Sequence, residues 1–126
     1  SLYSQGADVV YAVAGKTGLG VFEAAQEQGK YAVGVDSDQK YINPDVIICS
    51  MLKRVGDSVY DVISNYLEDG VFDGGTIWNA DMSSGLVGLG YGDDTMTQQV
   101  SDELKAEVEA LAEKIIAGEI VVESTR

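Results

Sequence analysis

The residues best suited to bind a ligand follow three apolar runs of this 126-residue chain. Gly15–Thr17 follows "VVYAVA", Asp36 and Asp38 follow "YAVGV", and Lys53 follows "VIICSML". A Gly-Lys-Thr sequence is used to hold phosphate, and paired carboxylates hold metal ions or accept hydrogen bonds from sugar hydroxyls. A lysine can donate to a sugar or to a phosphate. The first question is which of these chemistries the spacing supports.

The Gly-Lys-Thr tripeptide departs from the pattern of an ATP-binding loop. That loop requires a glycine five residues before the glycine that precedes lysine, and this position is occupied by Val10, inside an apolar run. The favoured interpretation is a tight turn in which Gly15, Gly18 and Gly20 allow close approach of the backbone. The alternative is an enzyme that binds a nucleotide through Gly15–Thr17.

The two aspartates and the lysine each allow more than one interpretation. Asp36 and Asp38 share a face on an extended backbone but diverge if a turn begins at Ser37. They could bind a metal, accept hydrogen bonds from a sugar, or cap a turn. Lys53 and Arg54 are predicted to open a helix, where positive charge is unfavourable. Lys53 could therefore contact a ligand, pair with Asp36, or be an ordinary surface residue.

Composition excludes several classes of function. The chain has a net charge of −13, which argues against nucleic acid or anionic lipid as a partner. It has no histidine, so the commonest general base and metal ligand are missing. The single cysteine, Cys49, lies among apolar neighbours and is predicted to be a small buried hydrophobic residue. The first ten residues show no signal peptide, and we expect the chain to be part of a longer polypeptide.

Strand and helix patterns alternate along the chain. Thr17 is predicted to cap the first helix and Gly29 to end it. The predicted strands are 7–13, 31–37, 45–51, about 75–79 and about 85–90, and the predicted helices are 17–28, 53–68 and 100–116. The aromatic residues are expected to belong to the core rather than to stack on a ligand; they are Tyr11, Tyr31, Tyr60 and Trp78.

This order predicts an α/β fold, a parallel sheet with helices on both faces. Ligands of such sheets bind beyond the carboxyl ends of the strands. Three successive strand ends carry Gly15, Asp36 and Lys53. We therefore expect these three residues to meet at one edge of the sheet.

Several stretches together resemble the basic membrane protein family, the substrate-binding lipoproteins of ABC transporters that include purine nucleoside receptors. The resemblance covers almost the whole chain and lies in "QGADVVYAVAGKTGLGVFEAAQEQGKYAVGVDSDQ", "SMLKRVGDSVYDVI", "GLVGLGYGDD" and "ELKAEVEALAEKIIAGEI". It implies one α/β lobe, residues 1–126, of a two-lobed periplasmic-binding-protein type I fold, with segments from about residue 75 returning to it. The first lobe and the lipid anchor would lie upstream.

The resemblance also implies residue roles. Asp36 would bind ribose hydroxyls, Lys53 would reach the same sugar, and Gly15 with Ala14 would supply backbone contacts. Tyr11 is a weaker candidate for packing against the ligand. The implied partners are a nucleoside-like solute and a transporter permease, with no cofactor and no catalysis.

One residue departs from the family pattern. Lys16 stands where the family commonly has glycine, which puts the purine preference in doubt.

A sensory or structural module that uses the same lobe without transport is the main alternative. An isolated lobe would also expose apolar surface, so we expect it to form homo-oligomers.

Overall fold

The structure is a computed structural model that describes residues 2–72 and 74–123. The described residues form four strands and three helices. They are β1 Val9–Tyr11, α1 Leu19–Gln28, β2 Tyr31–Gly34, β3 Ile47–Lys53, α2 Val55–Asp69, β4 Val87–Gly90 and α3 Asp102–Ile116. The described residues also form four short 3-10 turns, at Tyr3–Gln5, Gly15–Gly18, Lys40–Ile42 and Met82–Ser84.

The four strands form one sheet in the order β1-β2-β3-β4. β1, β2 and β3 run parallel to one another, with Val9 opposite Tyr31 and Gly34 opposite Ser50. The predicted α/β class and its parallel strands are confirmed. β4 differs from the prediction because it pairs antiparallel with β3, from Ser50–Gly90 to Lys53–Val87. An antiparallel edge strand on a parallel sheet is common in α/β proteins.

Helix α1 covers one face of the sheet and forms the core with it. Phe22 and Ala25, one turn apart on α1, are buried against the sheet. The buried cluster consists of Tyr3, Ala12, Phe22, Ala25, Ala32, Val46 and Ile47. Gly29, with φ of 60°, ends the helix as predicted. The predicted cap is wrong: the helix begins at Leu19, after the Gly15–Gly18 turn, and no side chain caps it.

The opposite side of β1 and β2 remains uncovered among the described residues. Val9 and Tyr11 alternate along β1, and Tyr31 lies opposite Val9 in the register, so these three share a face, while Val13 follows in the turn after β1. These side chains are 42–65% exposed. The expectation that the aromatic residues lie in the core is therefore wrong for Tyr11 and Tyr31, and it is also wrong for Tyr60 and Trp78, which are 70% and 55% exposed.

The second half of the chain agrees with the sequence patterns in its helices and less well in its strands. Ser101 caps α3, because its hydroxyl accepts a hydrogen bond from the Leu104 amide at 3.2 Å. The first turn of α3 is acidic and Lys114 lies in its last turn, which matches the predicted order of charge along the helix. The strand predicted at 85–90 is confirmed as β4, whereas the one predicted at 75–79 is wrong because these residues are irregular.

Gly34, the last residue of β2, gives a test of this packing. A Cβ atom there would lie 2.6 Å from the Ser50 hydroxyl and 2.9 Å from the Gln39 Oε1 atom. We expect Gly34→Ala to lower the free energy of unfolding by about 1–3 kcal/mol, the usual cost of overpacking. Urea denaturation measures this loss.

Gly20 on α1 is the matched control, because a Cβ atom there would meet nothing within 4 Å. Gly20→Ala is expected to stabilise the protein by up to about 1 kcal/mol through helix propensity. Equal effects of the two substitutions would show that the turn beside Gly34 does not restrict the site.

Candidate functional site

Asp36 lies just beyond β2 in an uncommon backbone conformation. Its φ of 69° makes it the one left-handed residue other than glycine among the residues that the structure describes. Aspartate and asparagine adopt this region several-fold more often than other side chains do. The chain bends at Asp36 and Ser37, so the two aspartates diverge, and the carboxylates of Asp36 and Asp38 have different partners.

Lys53 is the final residue of β3 and pairs with Asp36. Its ammonium nitrogen lies 2.8 Å from Asp36 Oδ1, and its backbone amide donates to the Asp36 carbonyl oxygen at 2.8 Å. Both side chains are 56% exposed, so a ligand can reach them. The hydrogen bond and charge of Asp36 raise the pKa of Lys53, and Tyr11 adds to this effect. Two predicted site residues therefore form one paired unit.

Lys53 and Arg54 do not open a helix as predicted. Lys53 belongs to β3, and Arg54 occupies the position before α2. The Arg54 side chain donates from Nε to the Gly85 carbonyl oxygen at 3.1 Å, while its amide donates to the Leu86 carbonyl oxygen. Arg54 therefore ties α2 to the start of β4. The positive charge of Lys53, which would be unfavourable at the start of a helix, lies at the end of β3 instead.

Gly15 lies beside the Asp36 turn. A shallow concavity of about 240 Å³ is lined by Gly15, Lys16, Leu19, Asp36 and Ser37, among others. Gly15 has a φ of 52°, which turns the chain from β1 into the 3-10 turn. The structure thus brings Gly15 and Asp36 to one depression and Asp36 and Lys53 to one ion pair, as the strand-end argument predicts.

The other residues predicted for this edge lie outside the Asp36–Lys53 ion pair. Ala14 is exposed, and its amide donates to the Ala12 carbonyl oxygen at 2.9 Å, within the turn after β1. Tyr11 lies on β1, 48% exposed, and near enough to Lys53 to influence its pKa. Lys16 is exposed and lines the concavity. The Gly15–Gly18 segment is a single 3-10 turn rather than a phosphate-wrapping loop.

A buried network behind the site was not anticipated from the sequence. The Asp38 carboxylate accepts hydrogen bonds from the Gly92 amide at 2.8 Å, the Lys40 amide at 3.0 Å and the Ser50 hydroxyl at 3.3 Å. Gln39 Oε1 accepts from the Val35 amide at 2.9 Å. Asp38 therefore links the loop after β2 to the middle of β3 through Ser50 and to the segment just after β4 through Gly92.

Lys40 extends this network into the interior. Its side chain is fully buried, and its ammonium group donates to the Ile47 carbonyl oxygen at 2.7 Å and to Gln99 Oε1 at 2.6 Å. The pKa of Lys40 is lowered because the side chain is buried, and the nearby Asp38 carboxylate offsets this effect only in part. Gln99 Nε2 also donates to the Pro44 carbonyl oxygen at 2.6 Å. No local pattern in "DQKYINP" signals a buried lysine, because its partner Gln99 is distant in sequence.

Other kinds of site find little support in the described residues. Within 2–72 and 74–123, no three His, Cys, Asp or Glu side chains are grouped closely enough to hold a metal ion. Cys49 is partly buried, and this burial raises the pKa of its thiol, which disfavours the reactive thiolate. None of the helices in those ranges has the length and apolar content that crossing a bilayer requires.

Comparison with solved structures identifies the class of proteins that share this fold. The chain superposes with a TM-score of 0.75 and 28% sequence identity on a solute-binding protein of an ABC transporter system from Aeropyrum pernix K1, covering 99% of this chain and 43% of that one. It also shares its fold with a transcriptional activator of the comK gene from Bacillus halodurans, with a TM-score of 0.76 and 24% identity over 97% of this chain and 41% of that one. The fold of the chain is therefore that of a solute-binding protein domain of an ABC transporter.

The particular family follows from sequence. The family described as ABC transporter substrate-binding protein PnrA-like matches residues 1–126, and the chain belongs to it. Basic membrane protein A1 of Borrelia garinii subsp. bavariensis is 39% identical over 123 residues, which is 96% of this chain and 35% of that protein. The chain thus spans about a third of the length of the curated relatives that it matches. The family resemblance seen in the sequence is confirmed.

Lys40→Met tests the buried network. The substitution keeps the length of the side chain but leaves the Ile47 carbonyl and Gln99 Oε1 without their buried donor. We expect the free energy of unfolding to fall by about 2 kcal/mol or more. Chemical denaturation monitored by circular dichroism measures the change.

Lys16→Met is the control, because it removes an exposed lysine. It should change stability by less than about 0.5 kcal/mol. If both variants unfold at the same denaturant concentration, the cost of burying the Lys40 ammonium cancels the value of its hydrogen bonds.

Proposed function

We propose that this chain is the ligand-capturing lobe of an extracytoplasmic solute-binding protein that supplies an ABC importer with a nucleoside-like solute. The family supports the substrate-binding class. The observation that carries the ligand assignment is the exposed pair of Lys53 Nζ and Asp36 Oδ1, 2.8 Å apart, at the carboxyl ends of adjacent parallel strands. Ligands of open α/β sheets bind at such an edge.

The chemistry of this pair suits a sugar. An ionised carboxylate accepts hydrogen bonds from hydroxyl groups, and an ammonium group donates to hydroxyl oxygens. Hydrogen bonds that involve a charged partner are roughly twice as strong as neutral ones. A ribose ring can engage both groups at once through neighbouring hydroxyls, with Asp36 as acceptor and Lys53 as donor.

The surrounding charge favours a neutral ligand. The chain carries a net charge of −13, and the Asp36 carboxylate stands at the site itself. A phosphorylated ligand would meet repulsion from both. A nucleoside offers the same hydroxyls without an anionic group, so it fits this edge better than a nucleotide does.

The concavity beside Asp36 provides room for the rest of the ligand. Gly15 presents backbone groups there, Ala14 precedes it in the turn after β1, and Tyr11 offers an exposed ring on β1. Lys16 occupies part of the same wall and adds a long cationic side chain. We infer that Lys16 narrows the space for a base and alters preference among nucleosides. The opposing wall of the site would come from polypeptide outside these residues.

Capture and release require no chemical step. The chain has no histidine, and its one thiol has a raised pKa. The proposed partners are therefore a small solute and the permease of a transporter, with no cofactor and no nucleic acid. A lipid anchor supplied by upstream polypeptide would hold the protein at the outer side of the cell membrane.

Titration calorimetry tests the ligand assignment. Because the chain spans about a third of its relatives, the protein to use is a chimera in which these 126 residues replace the matching region of Basic membrane protein A1. Adenosine, guanosine, inosine and ribose are the probes. We expect binding of at least one nucleoside, and a loss of at least about 2 kcal/mol of binding free energy in Asp36→Ala.

Two further variants separate charge from backbone geometry. Asp36→Asn keeps a residue that tolerates the left-handed conformation but removes the charge, so it should also weaken binding. Glu27→Gln, at the far end of α1, removes an equal charge and should leave affinity unchanged. No heat with any probe in a folded chimera contradicts the nucleoside proposal. Tight binding of magnesium-ATP that Lys16→Ala abolishes would support the nucleotide-binding alternative.

A further inference from the structure

The chain leaves β2 through a tight turn centred on Asp36. The Ser37 amide donates to the Val35 carbonyl oxygen at 2.9 Å, which closes a three-residue turn, and Asp36 at its centre has a φ of 69°. A φ close to about +75° belongs to the rarer of the two γ-turn forms, which is strained. A residue other than glycine keeps such a conformation only where its surroundings hold it. The turn therefore needs support from outside itself.

One support comes from β3 and acts on the peptide group that leaves the turn. The Asp36 carbonyl oxygen accepts a hydrogen bond from the Lys53 amide at 2.8 Å. This bond does not restrain the peptide group that enters the turn, whose donor is the Val35 amide. Because β2 ends at Gly34, the Val35 amide lies one residue beyond the strand and takes a side-chain acceptor instead of a strand partner.

Gln39 supplies that acceptor. Its Oε1 atom accepts a hydrogen bond from the Val35 amide at 2.9 Å. Val35 is only 5% exposed, so water has little access to the amide, and a buried amide without an acceptor is costly. The Gln39 side chain therefore fixes the entry of the turn, as the Lys53 amide fixes its exit.

The Gln39 side chain is itself held in place. Its backbone amide donates to the Ser50 hydroxyl oxygen at 3.0 Å. Its Oε1 and Cβ atoms lie over Gly34, 2.9 and 3.1 Å from the position that a Cβ atom of residue 34 would take. The missing side chain of Gly34 thus leaves the space in which Gln39 reaches back to the start of the turn. A side chain fixed in this way can define the geometry of its neighbours.

Gln39 also borders the depression beside Asp36. It is half-buried and lines the same concavity of about 240 Å³ that Gly15 and Asp36 line. A change in the turn would therefore move part of this wall together with the Asp36 carboxylate.

We propose that Gln39 is a positioning residue for the solute site: by accepting the Val35 amide, its side chain holds the turn in which Asp36 Oδ1 lies 2.8 Å from Lys53 Nζ. The inference rests on the proposed function, because it takes the Asp36–Lys53 pair as the group that binds the solute. Gln39 acts through Asp36 and needs no contact with the solute. Its contribution is that the two charged groups are paired before the solute arrives, which lowers the cost of ordering them on binding.

A purely structural role for Gln39 makes a different prediction, and Gln99 provides the comparison. Gln99 is also a half-buried glutamine; its Oε1 atom accepts from the Lys40 ammonium group at 2.6 Å and its Nε2 atom donates to the Pro44 carbonyl oxygen at 2.6 Å. Neither partner belongs to the turn at Asp36. If Gln39 served only to stabilise the fold, losing either glutamine would affect the site in the same way.

The first measurement needs no solute. The hydrogen bond and charge of Asp36 raise the pKa of Lys53. NMR of isotope-labelled lysine side chains in the chimera with Basic membrane protein A1 can follow this pKa, and Lys53→Arg assigns the signal. We expect Gln39→Met, which keeps a side chain of similar length without the amide oxygen, to lower the pKa of Lys53 toward its ordinary value. Gln99→Met should leave it raised.

A conservative variant isolates the oxygen acceptor. Gln39→Glu keeps an oxygen that can accept from the Val35 amide, so hydrogen exchange of this amide should stay slow. In Gln39→Met the same amide should exchange at least about tenfold faster. Equal exchange rates in the two variants would show that the oxygen of residue 39 does not hold the turn.

Titration calorimetry then links the turn to recognition. The probes are whichever of adenosine, guanosine and inosine the chimera binds most tightly, and the dideoxy form of the same nucleoside, which lacks the two neighbouring ribose hydroxyls. Gln39→Met should weaken binding of the nucleoside by about tenfold or more and binding of the dideoxy form by less than about twofold. Gln99→Met should change both affinities by less than about twofold.

Three results would overturn the proposal. The first is a pKa of Lys53 that Gln39→Met leaves unchanged. The second is equal weakening of the nucleoside and its dideoxy form, because the substitution would then act on the whole site rather than through the hydroxyl-binding pair. The third is equal weakening by Gln99→Met. Failure of the proposed function looks different: no nucleoside binds the chimera, and the pKa of Lys53 alone then decides whether Gln39 holds the pair.

Discussion

The parallel pairing of β1, β2 and β3 is the constraint on which the rest of the structure depends. Because adjacent parallel strands finish at the same edge, residues distant in sequence meet there without a dedicated scaffold. The amide of Lys53 donates to the Asp36 carbonyl oxygen just beyond the last paired residues of β2, and this backbone contact fixes the separation of the two side chains. A change in the register of β2 and β3 would therefore disperse the site and would also displace Ala32 and Ile47, which belong to the core.

The buried polar network makes this edge rigid. Three donors satisfy the Asp38 carboxylate, and the Lys40 ammonium meets acceptors from two separate segments. Buried polar groups stabilise a unique arrangement only when they are fully paired, and no buried side-chain nitrogen or oxygen of the described residues lacks a partner. The exposed Asp36–Lys53 pair thus adjoins a fully hydrogen-bonded interior, which suits the proposed recognition of hydroxyl groups.

The sequence predicted this edge better than it predicted its surroundings. Apolar runs and glycine stops located β1–β3, α1 and α2, and the strand-end rule brought Gly15, Asp36 and Lys53 together. The direction of β4, the burial of Lys40 and the exposure of Tyr60 and Trp78 were not predictable in the same way. The direction of β4 depends on its pairing with β3, and the burial of Lys40 depends on Gln99, and each of these partners is distant in sequence. Thr17 failed as a cap because a 3-10 turn already leads into α1.

The antiparallel placement of β4 has a kinetic consequence. β1, α1, β2 and β3 follow one another directly, so their contacts close short loops. β4 reaches β3 only after the chain has passed through α2 and an irregular segment, and closing this longer loop costs more entropy. We expect the unit from β1 to β3 to assemble first and β4 to join it later, carrying Gly92 to Asp38. Pulse-labelling of amides during refolding would reveal this order, and simultaneous protection of β1 and β4 would contradict it.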